Sequence, residues 1–228
     1  MANDPQRDAA GTVTHLRARS GNVLRLPRAV RREQIVRSAA AVFLGSGYET
    51  ASMEDVARAA GVTRLIVYRI FESKEALYLA VLTGVLEDLA ASFDLVAIND
   101  AEPLSPAQAQ GYESRRPIAA TLLGVARRHP DGFRLLWRHT STQSEFGELF
   151  QQFKASTTEY AVALLSPAIP DPIINRWAAQ SVVSHLYESI CLWLDGGDPD
   201  RDDPFVRLLT AGVRALVGAW INDDGPET

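Results

Sequence analysis

From Arg31 onward, apolar positions recur at helical spacing. Ile35, Ala39, Val42 and Phe43 fall at i, i+4, i+7 and i+8, one face of a helix that Gly45 and Gly47 bring to an end. Ser52 then opens a Ser-x-x-Asp variant of the capping box with Asp55, and Met53, Val56, Ala57 and Ala60 form a second stripe that stops at Gly61. Thr63 stands where it caps a third helix, which turns Val67, Ile70 and Phe71 inward. Ser73 caps a fourth, starting at Lys74-Glu75, with Leu77, Val81, Val85 and Leu89 as its stripe and an end near 94–99. Residues 100–114, with Pro103, Pro106 and Gly111, read as a loop. Further helices are predicted near 115–128, 130–140, 145–166, 172–195 and 203–221. Pro130, the polar run 140–144, Pro167 with Pro170, and Gly196-Gly197 punctuate them. No alternating pattern of useful length competes, so the fold class is all-α with about nine helices.

Charge divides the chain. Residues 1–75 carry twelve basic and eight acidic side chains, a balance of +4; the rest carries eleven basic and twenty acidic, a balance of −9, together the net −5. A basic N-terminal third on an acidic remainder predicts two parts with different partners, and basic segments seek phosphates. Residues 1–27 are polar, hold Gly11, Gly21 and Pro27, and show no sustained period; they read as a disordered arm whose Arg7, Arg17, Arg19 and Arg25 either lie along DNA or simply keep a tail solvated. Cys191 is the single cysteine, so no internal disulfide framework exists. No apolar run approaches a membrane span and no apolar leader precedes the first helix, so the expectation is a cytoplasmic protein with no membrane partner. Metal-ligand spacing among His15, His129, His139 and His185 is absent, and no cofactor is expected.

Three short helices in 31–71 with Gly61 at the second turn are a helix-turn-helix candidate. A small Ala57 allows a close crossing, Gly61 supplies the positive φ of the turn, and Val62 and Val67 fill the wedge. The stretch 31–77 resembles the DNA-binding domain of the tetracycline-repressor (TetR) family. Its landmarks are Ala39-Ala40, Phe43, Gly47-Tyr48, Thr50, Ser52, Val56-Ala57, Ala60-Gly61-Val62, Tyr68, Phe71 and Ser73-Lys74-Glu75.

The resemblance implies a role for each matched residue. Thr63 and Arg64 begin the recognition helix and reach base edges, and Tyr68 and Lys74 contact phosphate. Thr50 and Ser52 contact phosphate before the second helix, although both are also good caps without DNA. Within the recognition helix the chain departs from the family, which commonly has Gly, Thr, an aromatic and His where Leu65, Ile66, Arg69 and Ile70 stand. Leu65 and Ile66 then either meet thymine methyl groups in the groove, the reading preferred here, or pack against the N-terminal arm. Arg69 replaces an aromatic phosphate contact with a charge.

The family resemblance makes the remainder a regulatory and dimerising part. The expected domains are thus the arm at 1–27, the helix-turn-helix at 28–73, and a helical ligand-binding and dimerisation domain at 74–228. The last helix carries Ala211, Gly212, Ala215 and Ala219 at i+3 and i+4 spacing, a smooth face for close helix approach. The preceding helix has a broad stripe from Ile174 to Trp193, so two helices from each of two chains can form a four-helix homodimer interface. A small-molecule effector site is expected among the helices between 76 and 195. Phe146, Phe150, Phe153 and Tyr160 share a helix face there, and Trp137, His139, Trp177 and His185 are the other notable groups. Ligand-binding candidates are Trp137, Phe150, Phe153, Tyr160, Trp177 and His185.

No nucleophile elbow, phosphate-binding glycine loop or zinc-protease motif occurs, and the acidic run 195–203 lacks EF-hand spacing. A catalytic role is therefore not expected. The leading reading is a dimeric regulator of a double-stranded DNA operator with palindromic symmetry, a repressor released by a small molecule. The alternative is a helical small-molecule- or partner-binding protein with a degenerate DNA-binding domain.

Overall fold

The computed structural model describes residues 27–99, 117–139 and 146–221, and among them the regular elements are helical throughout. Nine α-helices follow in order: α1 (Arg28–Ser46), α2 (Met53–Ala59), α3 (Arg64–Ile70), α4 (Lys74–Asn99), α5 (Ile118–Arg128), α6 (Pro130–Arg134), α7 (Gly147–Leu165), α8 (Pro172–Gly196) and α9 (Asp202–Ile221). This is an all-α protein with a helix-turn-helix at its N-terminal end and a helical body beyond it. The expected loop at 100–114, the arm to residue 26 and the polar run 140–144 lie outside the described residues.

The stripes read from spacing are the buried faces. Ile35, Ala39 and Phe43 of α1, Val56 and Ala57 of α2, Val67 of α3, and Leu77, Val81, Val85 and Leu89 of α4 join one continuous core. Removing each large apolar side chain from water contributes about 1.5–3 kcal/mol, which holds short α2 and α3 helical although neither is long enough to persist alone. Gly47 and Gly61 adopt positive φ, 77° and 62°, where they end α1 and turn α2 into α3. Gln34 reaches from α1 to donate to the Ala60 carbonyl at 2.8 Å, securing that turn from behind.

α7 and α8 form an antiparallel pair, and α5 lies between α4, α8 and α9. Asp171 caps α8 by accepting from the amides of Ile173 and Ile174, with Pro172 in the first helical position. The expected helix 130–140 is instead five residues of α6 followed by a π-helical turn, Leu135–His139. Gly132 lets α6 press against α4: a Cβ there would stand 2.8 Å from Val85 Cγ2.

Paired charges tie the body together. Arg127 of α5 forks onto Asp202 of α9 at 2.9 and 2.6 Å, and Trp193 donates to the same carboxylate at 2.7 Å. Arg128 forks onto Asp88 of α4 at 2.7 and 2.9 Å. Arg134 and Arg138 both reach Asp195 of α8, and Arg138 also reaches Glu188. One expectation needs correction. Pro199–Ile221 is long and apolar enough to cross a membrane by length and composition, and almost none of it is buried.

Candidate nucleic-acid interface

The α2–turn–α3 unit is assembled by local chemistry. Ser52 has extended backbone, its hydroxyl accepts from the Asp55 amide, and the Asp55 carboxylate accepts from the Ser52 amide and hydroxyl, so the capping box is complete. The Ser52 hydroxyl holds the Asp55 carboxyl below the usual carboxylate range. Thr63 occupies the N-cap of α3 with extended backbone, but its hydroxyl makes no capping hydrogen bond, contrary to the expected cap. Thr63 itself is exposed at the start of α3.

α3 shows one face to the core and the other to solvent. Val67 is fully buried and Phe71 nearly so, while Thr63, Arg64, Leu65, Tyr68 and Arg69 are exposed. Arg64 lies over the Tyr68 ring at 5.2 Å and donates to its hydroxyl at 3.4 Å, so the two side chains are already grouped. Leu65 and Ile66 separate: Leu65 is 67% exposed, whereas Ile66 is half-buried and packs on the core. The two are thus unequally placed, Leu65 clear of the core and Ile66 partly covered by it. The arm lies outside the described residues, so its packing on either side chain is not part of the geometry.

Thr50 and Lys74 carry structural duties that spacing did not reveal. Thr50 donates to the Ser46 carbonyl and closes the α1–α2 loop. Lys74 donates to the carbonyls of Tyr48 at 2.7 Å and Glu49 at 3.1 Å, with its ammonium 4.5 Å from the Tyr48 ring centre. Two of its three N–H groups are thus engaged, and the third is available to a phosphate.

The expected effector residues do not form one group. Phe153 is buried edge-on against Tyr187 at 5.6 Å, and Trp137 stacks on Tyr187 at 4.8 Å while donating to Glu188. Tyr160 is half-buried on the same helix as Phe153. Trp177 and His185 lie elsewhere: Trp177 is 52% exposed and pairs with Trp220, and His185 is exposed on the outer face of α8. α7 meets α8 where Phe153 packs on Tyr187, whereas Trp177 turns toward Trp220 of α9. The side chains of His139 and Phe150 lie outside the described residues. Spacing missed Tyr187, which stacks on Phe133 at 5.4 Å and whose buried hydroxyl has no partner. Burial raises that phenol far above its ordinary range and pushes the Cys191 thiol up to about 12.

An outward-facing helix on a small three-helix unit, continued by a long α4 into a helical body, is the architecture of a helix-turn-helix module joined to a helical domain. Residues 35–81 match the profile described as bacterial regulatory proteins, tetR family. A curated relative, the HTH-type transcriptional activator FasR of Mycolicibacterium smegmatis, is 45% identical over 71 residues, 31% of this chain and 32% of that protein. The match therefore spans about a third of that relative's length. Among solved structures, a TetR-like regulator from Rhodococcus sp. RHA1 shares the fold with a TM-score of 0.63, 23% identity, and coverage of 86% of this chain and 98% of that one. A TetR regulator from Legionella pneumophila does so with a TM-score of 0.58, 20% identity, and coverage of 84% and 97%. Residues 35–81 thus carry a DNA-binding module of the tetR type, and the described chain shares its helical fold with TetR-like regulators.

Proposed function

We propose that this protein binds a palindromic operator as a homodimer and that a small molecule in its helical body releases it, as a repressor. In this reading residues 1–27 are an arm, 28–73 the DNA-binding domain and 74–228 the effector and dimerisation domain. The observation that carries the DNA reading is the outward face of α3, where Thr63, Arg64, Leu65, Tyr68 and Arg69 are exposed side by side while Val67 anchors the helix from behind. A short helix fixed in this way enters a major groove with its N-terminal residues toward base edges. Thr50, Ser52 and Lys74 border it from the α1–α2 loop and the start of α4, where they supply phosphate contacts.

Dimerisation is supported by the uncovered side of α8 and α9. Ile173, Ile174, Trp177 and Leu192 of α8, and Leu208 of α9 at 74%, are exposed apolar side chains. The smooth row Ala211, Gly212, Ala215 and Ala219 is open, or nearly so, along α9. A contiguous apolar face of this kind on a protomer fits an interface with a second copy. It also accounts for the apolar character of α9 without a membrane. The effector would enter beside the Phe133, Trp137, Phe153 and Tyr187 rings, an aromatic environment suited to a largely apolar molecule. The curated relative is named an activator, but its match spans 71 residues, 31% of this chain, so the sign of its regulation does not carry over.

The test is an electrophoretic shift with the DNA flanking the protein's own reading frame. Retarded duplex that competes with itself but not with unrelated DNA supports the reading. No shift at micromolar protein and low salt favours instead a helical binding protein with a degenerate helix-turn-helix.

A further inference from the structure

Tyr48 lies in the α1–α2 loop, two residues before Thr50 and four before Ser52. The loop takes its place from what holds that tyrosine. Its ring meets Phe43 of α1 at 6.1 Å and Tyr78 of α4 at 4.9 Å, and its carbonyl accepts from Lys74. These partners belong to the helix-turn-helix and its direct continuation. A fourth does not. Phe146, at the start of α7, meets Tyr48 edge-on at 5.1 Å and Tyr78 at 4.5 Å, and is 2% exposed. The body of the protein thus lodges the Phe146 ring against the aromatic core of the DNA-binding unit. It does so against the residue that orients the loop.

We propose that Phe146 is a positioning residue for the DNA interface: its ring fixes Tyr48 and thereby the α1–α2 loop, whose Thr50 and Ser52 hydroxyls meet phosphate when they turn from the Ser46 carbonyl and the Asp55 carboxylate. The inference rests on the reading of Thr50 and Ser52 as phosphate contacts. Interior packing transmits small displacements because it is close to crystal density and has little free volume to absorb them. A shift of α7 at Phe146 is therefore felt at Tyr48. From there it passes to a loop whose carbonyls and Thr50 hydroxyl are tied to Lys74 and Ser46. Phe146 contributes nothing to DNA directly.

The experiment is a double-mutant cycle on the full chain, read by fluorescence anisotropy with a labelled mixed-sequence duplex at low salt. The active protein concentration is fixed by stoichiometric titration, so that any unfolded fraction is removed from the affinity. Phe146→Ala is expected to weaken binding about tenfold in the otherwise native chain but less than about twofold when Thr50→Ala and Ser52→Gly are already present. Glycine keeps Ser52's capping position within a few tenths of a kcal/mol, so the background remains folded. Phe146→Leu, which retains an apolar side chain at the site, recovers most of the loss. It also replaces the alanine variant in the cycle should that variant fail to fold. Equal losses in both backgrounds make Phe146 a structural residue only and overturn the proposal, as does no loss in either. If the native chain ignores the duplex, or Thr50→Ala with Ser52→Gly binds like the native chain, the phosphate reading falls and this inference with it. A normal response to the hydroxyl variants with none to Phe146 sinks this inference alone.

Discussion

Tyr187 shows how a single atom sets a testable energy. Its hydroxyl is buried without a partner among three other aromatic rings. An unmatched buried polar group costs about 1–3 kcal/mol. Tyr187→Phe is therefore expected to raise the urea midpoint, by about 1 kcal/mol or more in unfolding free energy, with DNA affinity unchanged; a loss of stability on chemical denaturation would show that the hydroxyl is satisfied in solution. Asp202 makes the opposite case. Its hydrogen bonds from Arg127, and secondarily from Trp193, hold its carboxyl below the usual carboxylate range. A depressed folded-state value stabilises the protein above the unfolded value of about 4, and that contribution is lost as pH falls through the folded value. Asp202→Asn is expected to be less stable than the native chain at pH 7 and to converge with it as pH drops from 4 toward 2, measured by denaturation midpoints across that range. Lys74 is a third residue whose worth lies in named atoms. With one N–H still free, Lys74→Ala is expected to lower the slope of log affinity against log salt by about 0.9. An unchanged slope would confine Lys74 to its two carbonyls.

At the level of helices, α3 and the α4–α6 crossing give distinct expectations. Leu65 alone stands clear of the core, so replacing the operator's thymines with uracils is expected to weaken the native chain by about 1 kcal/mol per lost methyl contact. The same replacement should leave Leu65→Ala little affected; equal sensitivity in both proteins would remove Leu65 from the groove. Gly132→Ala forces a Cβ against Val85 and is expected to cost about 1–3 kcal/mol by overpacking, with Val85→Ala restoring part of it, as thermal denaturation of the pair would show. The helices themselves were legible because each stripe is a simple period: Leu77, Val81, Val85 and Leu89 were named from spacing and all are buried. Side-chain partners across elements were not. The tie from Lys74 to the Tyr48 and Glu49 carbonyls joins positions 26 and 25 residues apart, and no local pattern encodes it. The stripe of α8 was equally visible, but period reveals that a face is apolar and not which neighbour covers it. Trp177 and His185 were therefore assigned inward although Trp177 turns toward Trp220 and His185 is exposed. Phe146 shares its helical spacing with Phe153, yet its ring packs on Tyr48 and Tyr78 while Phe153 packs on Tyr187.

Across the whole molecule, Gly212 separates folding from assembly. A Cβ built there meets nothing within 4 Å in the protomer, so a larger side chain is tolerated by the fold. Gly212→Leu is expected to melt like the native chain at low concentration yet sediment as a monomer at micromolar concentration, because in the proposed dimer the added side chain would meet the second copy. A dimer of native mass would move the interface elsewhere. The placement of Phe146 bears also on how the chain is made. Synthesis proceeds from the N-terminus at about 5–20 residues per second, and domains generally fold as they emerge. Here all three helices of the helix-turn-helix leave the ribosome well before residue 146, with the Tyr48 and Tyr78 rings still lacking the Phe146 ring. The nascent DNA-binding unit must wait several seconds, its aromatic core open to water or to a chaperone, until the start of α7 arrives to close it.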